Sequence, residues 1–176
     1  MCFFKKKPKP PVIELVLPYP EEQPDYSQTI TNMDVVAAVD KWAEDYKIPM
    51  ERRDFWKTKI IIKIDLTIWY PAGTYTDNEG RRHLNIRPEW INSGVICHEQ
   101  CHNSYALLTE AQKILFEADY TYNLTNSDLM KLVCQTHPYA NQLDSWGRRV
   151  EGHAEMGRYI GFEKMPESLK QHYPNL

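Results

Sequence analysis

His98-Glu99-Gln100-Cys101-His102, an H-E-x-x-H string, lies in a stretch whose apolar spacing predicts a helix from Ile91 to Leu108. Residues four apart on a helix project about 40° from one another and sit roughly one turn along the axis. Both imidazoles can therefore reach one metal ion, with Glu99 at the edge of the same face. Val95, His98, His102 and Tyr105 share one stripe, so apolar and aromatic neighbours would keep the site partly dry. Neutral imidazole is a good ligand for Zn2+, and a nearby carboxylate can take a proton from metal-bound water. The spacing implies hydrolysis by an activated water, most often of a peptide bond. With 6 histidines in 176 residues, roughly two chains in a hundred of this composition would carry the string by accident.

A catalytic zinc needs three protein ligands and one open position. The segment from Arg148 to Tyr159 offers Glu151 and Glu155, four apart on a helix predicted from about Gln142 to Ile160. One carboxylate can bind the metal while the other holds an imidazole N–H and fixes its tautomer. Alone, such an acidic pair is also what a solvated helix face carries.

Together the two segments resemble the gluzincin branch of the zincin metallopeptidases. Glu151-Gly152-His153-Ala154-Glu155 is similar to the E-G-x-A pattern around the third zinc ligand of several gluzincin groups, certain aminopeptidases among them. The resemblance implies one Zn2+ per chain held by His98, His102 and Glu151, with Glu99 as general base and Glu155 as the partner that orients a ligand. It also implies a Tyr or His that stabilises the oxyanion. Tyr159, His137, His153 and Tyr105 are each chemically able to serve, and the sequence does not choose among them. The strand before the metal helix, His83 to Arg87, would be the cleft edge that pairs with extended substrate.

Working outward, the pattern predicts an α+β fold. It is a zincin-like domain with a small, mostly antiparallel sheet, the H-E-x-x-H helix and a C-terminal helical half carrying the glutamate. A helix capped by Thr31 or Asn32 should run to about Lys47, burying Val35, Val36, Val39, Trp42, Ala43 and Tyr46. Residues 59–70 alternate, with Ile60, Ile62, Ile64, Leu66, Ile68 and Tyr70 on one face, as in a half-buried strand. Asp77-Asn78-Glu79-Gly80 reads as a hairpin connection into a strand from Arg82 to Arg87. Glu110 to Tyr122 and Ser127 to Thr136 read as two further helices.

Residues 1–28 hold Pro8, Pro10, Pro11, Pro18, Pro20 and Pro24, a density that predicts an extended arm with a short strand at Val12 to Leu17. Residues 29–176 would then form one domain. With 42% apolar and 26% charged residues and a net charge of −3, nothing favours nucleic acid or an anionic membrane as partner. A peptide or protein substrate is the expected one. The start lacks the pattern of a secretory signal and no apolar run reaches the ~20 residues of a membrane span, so a cytoplasmic location is expected.

Competing chemistries are weaker. Cys97 and Cys101 flank the histidines, but a Cys2His2 site would need neighbouring residues that point some 100° apart, and a haem motif would need tighter spacing. Glu99 and His102 form half of a di-iron signature whose second E-x-x-H is missing. The alternative of another class is a zincin-like module that binds metal and a partner without catalysis. Retention of Glu99 weighs against it, since a purely structural site needs no base.

Overall fold

Ile60, Ile61, Ile62, Lys63 and Ile64 form β1 (Ile60–Ile64) in the computed structural model, which describes residues 32–174. Burial alternates along it: Ile60 is buried, Ile61 and Lys63 are exposed, Ile62 and Ile64 are half-buried. The predicted continuation to Tyr70 does not form. Asp65 Oδ1 accepts the Thr67 amide at 2.9 Å and the Thr67 hydroxyl at 2.5 Å, a local turn that replaces the ladder. Leu66, Trp69 and Tyr70 are left exposed on the loop that follows.

β2 (Ala72–Thr76) and β3 (Arg82–Ile86) make the expected hairpin, with Ala72 opposite Ile86 and Thr76 opposite Arg82. Asp77 closes it by accepting the amides of Glu79 and Arg81 at 2.9 and 2.8 Å. Gly80 takes a φ of 79°, a region open to glycine at little cost. The sheet order is β1-β3-β2, with β1 parallel and β2 antiparallel to β3. The sheet is therefore mixed rather than mostly antiparallel.

β3 is its central strand, so His83 to Arg87 is not the cleft edge that the resemblance implied. The hairpin lays β2 along one side of β3, and β1 occupies the other. The outer side of β2 carries no strand among the described residues, and Ala72, Gly73 and Thr74 line the cleft.

Seven helices accompany this sheet among the described residues, an α+β arrangement, with the first three in chain order packed against it. α1 (Asn32–Asp45) buries Val39, Trp42 and Ala43 as the spacing predicts, and Lys47 at φ 54° ends it. α2 (Met50–Lys59) was not foreseen. It starts after Pro49, where a fixed φ suits a helix start, and it drives Trp56 into the core. α3 (Ser93–Ala106) is the H-E-x-x-H helix, capped where the Asn92 side chain accepts the Val95 amide at 2.9 Å. α4 (Glu110–Asn126) opens with a Thr109–Gln112 capping box, and α5 (Asp128–Thr136) is capped by Ser127.

The glutamate helix, α6 (Val150–Lys164), begins well after the predicted Gln142. Asp144 Oδ1 accepts the amides of Trp146 and Arg148 at 2.8 and 2.9 Å, and Gly147 sits at φ 73°, so this stretch is a turn. α7 (Glu167–Lys170) follows, and the tail that carries little sequence signal is part of the core. Leu169, His172 and Tyr173 are buried there, and the Ser104 hydroxyl on α3 donates to the Pro174 carbonyl at 2.9 Å. The predicted Pro-rich arm over 1–28, its strand at 12–17 and Cys2 fall outside the described residues. No described helix is long and apolar enough to cross a membrane.

α3 and α6 share the most extensive packing of any two elements. Gly157 permits it, since a Cβ there would stand 2.2 Å from Cys101 Sγ. Gly157→Ala should therefore lower stability by about 1–3 kcal/mol through overpacking. Adding Cys101→Ala should restore part of that loss, as urea unfolding of the single and double variants would reveal.

His153 packs behind the same crossing, fully buried, and burial pushes its pKa down to about 3 from 6.5. The unfolded chain takes up this proton first, so stability from a neutral His153 is complete above about pH 6.5 and is lost as pH falls toward 3. The stability advantage of wild type over His153→Gln should shrink across that window, followed by denaturation at stepped pH.

Candidate metal centre

Three donors from two helices meet at one point. His98 and His102 project from the cleft face of α3, and Glu151 comes from the first turn of α6. His98 Nε2 lies 3.0 Å from His102 Nε2 and 3.3 Å from Glu151 Oε2, and His102 Nε2 lies 3.5 Å from the same oxygen. Two ring nitrogens and a carboxylate oxygen in such a triangle match the face of a coordination tetrahedron. For zinc–ligand distances near 2.0–2.1 Å its edges would be about 3.3 Å. His98, His102 and Glu151 are also the residues among those described whose donor atoms cluster as a metal site requires.

The surroundings set each donor. Glu155, one turn after Glu151, places Oε1 2.8 Å from His98 Nδ1, which leaves Nε2 as the nitrogen for a metal. Burial alone would lower the His98 pKa, but Glu151 and Glu155 outweigh it and raise it to about 9. Burial likewise opposes ionisation of Glu151, yet His102 and His98 hold its pKa at about 2. A carboxylate that stays charged beside two imidazoles is the charge pattern a divalent cation would take over.

Glu151 is held in place from outside the site. Glu117 of α4 accepts the Arg149 amide at 2.6 Å and pairs with its guanidinium at 2.7 Å, fixing the start of α6. The Ala140 carbonyl approaches Gly152 so closely that a Cβ there would stand 2.6 Å away. Glycine at position 152 thus lets the turn at Pro138–Asn141 lie against α6.

Glu99 is buried, and its Oε2 has no hydrogen-bond partner among the described residues. Burial pushes its pKa up, against the pull of His102 and His98. A carboxylate with raised pKa and an unused oxygen beside a cleft can exchange a proton with something bound there.

The cleft itself has a volume of about 810 Å³ and holds the triad together with Glu99 and Glu155. Of the four residues able to stabilise an oxyanion, Tyr105 alone lines it. Its hydroxyl is buried without a partner among the described residues, and burial pushes its pKa up to about 12, so it stays a donor. His137 and Tyr159 instead stack on one another, ring centroids 3.6 Å apart, away from the cleft. His153 is walled off as well, with its Nε2 2.7 Å from the His172 carbonyl and its ring stacked on Tyr173.

Sequence reasoning passed over Tyr139, which lines the cleft beside Glu151. Its place follows from the turn at Pro138–Asn141, which no periodicity reveals. Trp69, Trp90 and Arg82 were also missed as cleft residues. Cys97 and Cys101 face α6 rather than the histidines, with Cys97 Sγ 3.7 Å from the Gly157 carbonyl, so neither joins the donor set.

Glu155→Gln removes the charge facing His98 Nδ1 and keeps the shape. Zinc affinity should fall roughly 10–100-fold, as expected when the group orienting a ligand is lost. Competition with a chromophoric chelator would measure it, and unchanged affinity would show that Glu155 does not orient His98.

No protein-family model, no curated protein and no solved structure matches this chain.

Proposed function

We propose that this protein is a zinc-dependent metallopeptidase. The observation that carries the reading is the convergence of His98, His102 and Glu151 in one open cleft, beside a buried Glu99 whose Oε2 has no hydrogen-bond partner among the described residues. These three residues would hold the ion, leaving the side that faces the cleft for water and substrate. When bound, Zn2+ supplies a Lewis acid that polarises a carbonyl and lowers the pKa of water toward 7.

The chain's own groups supply the remaining steps. Glu99 accepts the proton of the attacking water and hands it to the leaving amine, a transfer its raised pKa favours. Glu155 keeps His98 in the tautomer that points Nε2 inward. Tyr105 and Tyr139 are hydroxyl donors in the cleft able to meet charge that develops on the carbonyl oxygen. Val95, Val150 and the aromatic rings around the triad reduce water in the cleft, which strengthens each of these interactions.

A structural zinc site would have no use for Glu99, and burying a carboxylate without a partner costs stability. That cost favours catalysis over a module that binds metal and a partner only. Elemental analysis of wild type, Glu99→Gln and Glu151→Ala, with turnover of a peptide pool, separates the two. About one zinc per chain is expected in wild type and Glu99→Gln, and largely lost in Glu151→Ala. Peptide cleavage should fall at least about a hundredfold in Glu99→Gln. Zinc in all three proteins would move the third ligand elsewhere. Zinc with no cleavage in wild type would leave the binding module as the reading.

A further inference from the structure

Arg82 is an arginine whose charge no carboxylate among the described residues meets. Arg53, Arg81, Arg87, Arg148 and Arg149 each pair with a carboxylate. Arg82 pairs with none among the described residues. Its Nε donates to Asn103 Oδ1 at 2.8 Å, Nη1 to the Thr76 hydroxyl at 2.6 Å and Nη2 to the Thr74 hydroxyl at 3.3 Å. All three acceptors are neutral. A guanidinium has five N–H donors in a planar fork, so two remain for another partner. Burial lowers its pKa, with no carboxylate to offset the effect.

The three neutral bonds explain the posture of Arg82 without explaining its charge. They tie β3 to β2 and to α3, a task a neutral glutamine would perform without the cost of a half-buried charge. They also hold the guanidinium rigid where it lines the cleft, level with Asn103, which directly follows the ligand His102. Lys113 and Arg158 line the same cleft, but Lys113 is engaged with Glu110 at 2.9 Å and the Arg158 guanidinium lies over the Tyr159 ring, 4.9 Å from its centroid. A half-buried, preoriented cation with unspent donors is what recognition of a carboxylate requires.

We propose that Arg82 is a specificity-determining residue that binds a carboxylate of the substrate, either an Asp or Glu side chain or the free C-terminus. This rests on the metallopeptidase reading for the word substrate, but the binding itself does not depend on turnover. An acidic group would take the two free N–H donors and the charge together. A neutral amide would take at most a hydrogen bond. The preferred substrates are therefore peptides with an acidic group on the side of the scissile bond nearest Thr74, which lines the cleft and accepts a hydrogen bond from Arg82.

The test uses one peptide in matched forms: an internal Glu or Gln, each with a C-terminal acid or amide. Binding is measured by calorimetry on the full chain freed of metal, so nothing is cleaved, for wild type, Arg82→Gln and Arg82→Lys. Wild type should favour one acidic form over its neutral match by roughly tenfold or more, the size of a charged hydrogen bond. Which pair shows the difference tells a side chain from a C-terminus. Arg82→Gln should bind both forms alike, and Arg82→Lys should keep part of the preference.

Equal binding of acidic and neutral forms by wild type, no binding of either, or a preference that survives in Arg82→Gln would overturn the proposal. The wild-type comparison decides even if the variants fold poorly. Zinc content and turnover are measured alongside. Zinc-dependent cleavage without acidic preference would sink this subsite and leave the peptidase reading. An Arg82-dependent preference in a protein without zinc or turnover would do the reverse.

Discussion

The close crossing of α3 and α6 is the constraint on which the rest of the molecule depends. It exists because residue 157 has no side chain and residue 101 has a small one. Metal ligation tolerates errors of only a few tenths of an ångström. Two helices that each contribute donors must therefore be held at a fixed distance by something other than the metal. Here the task falls to Cys97, Cys101 and Gly157 on the side away from the cleft. The cysteines that invite a metal or haem reading are spacers for the candidate metal site, not members of its donor set.

The cleft side of the same crossing carries groups that lower stability. Among the described residues, Glu99 Oε2 and the Tyr105 hydroxyl are buried without a hydrogen bond, and the Arg82 charge has no counter-ion. Each would be replaced by an apolar or smaller residue if stability alone mattered. All three line one cavity. The core around it offsets their cost: Trp42, Trp56, Phe116 and Tyr120 are fully buried and surround the sheet and the helix pair.

That His98, Glu99, His102, Glu151 and Glu155 come to one cleft was legible because helical periodicity converts a spacing of four into a shared face. His98 with His102 and Glu151 with Glu155 needed no tertiary information beyond the guess that the two helices meet. The hairpin at Asp77 was legible for a similar reason, since its turn chemistry is local. What was hidden depends on contacts distant in sequence or on side chains that compete with the ladder. Asp65 and Asp144 each captured nearby amides and cut short a pattern that the apolar residues alone would have continued. The order of the strands, with β3 in the middle, is set by where the chain returns after β1. Arg82 looked like any charged residue at the start of a strand, and only its three neutral partners single it out.

Tyr173 and Pro174 reach the back of both metal helices at once. The Tyr173 hydroxyl donates to the His153 carbonyl on α6 at 2.8 Å, and the Pro174 carbonyl accepts from Ser104 on α3 at 2.9 Å. Local opening of this tail would loosen the spacing of both helices before either one unfolds. The rate at which a metal held by the triad escapes would then follow how often the tail lifts, as read by amide exchange in α7, rather than the strength of the ligand bonds alone. The segment from α7 to Pro174 would thus act as a latch that sets how long such a metal stays bound.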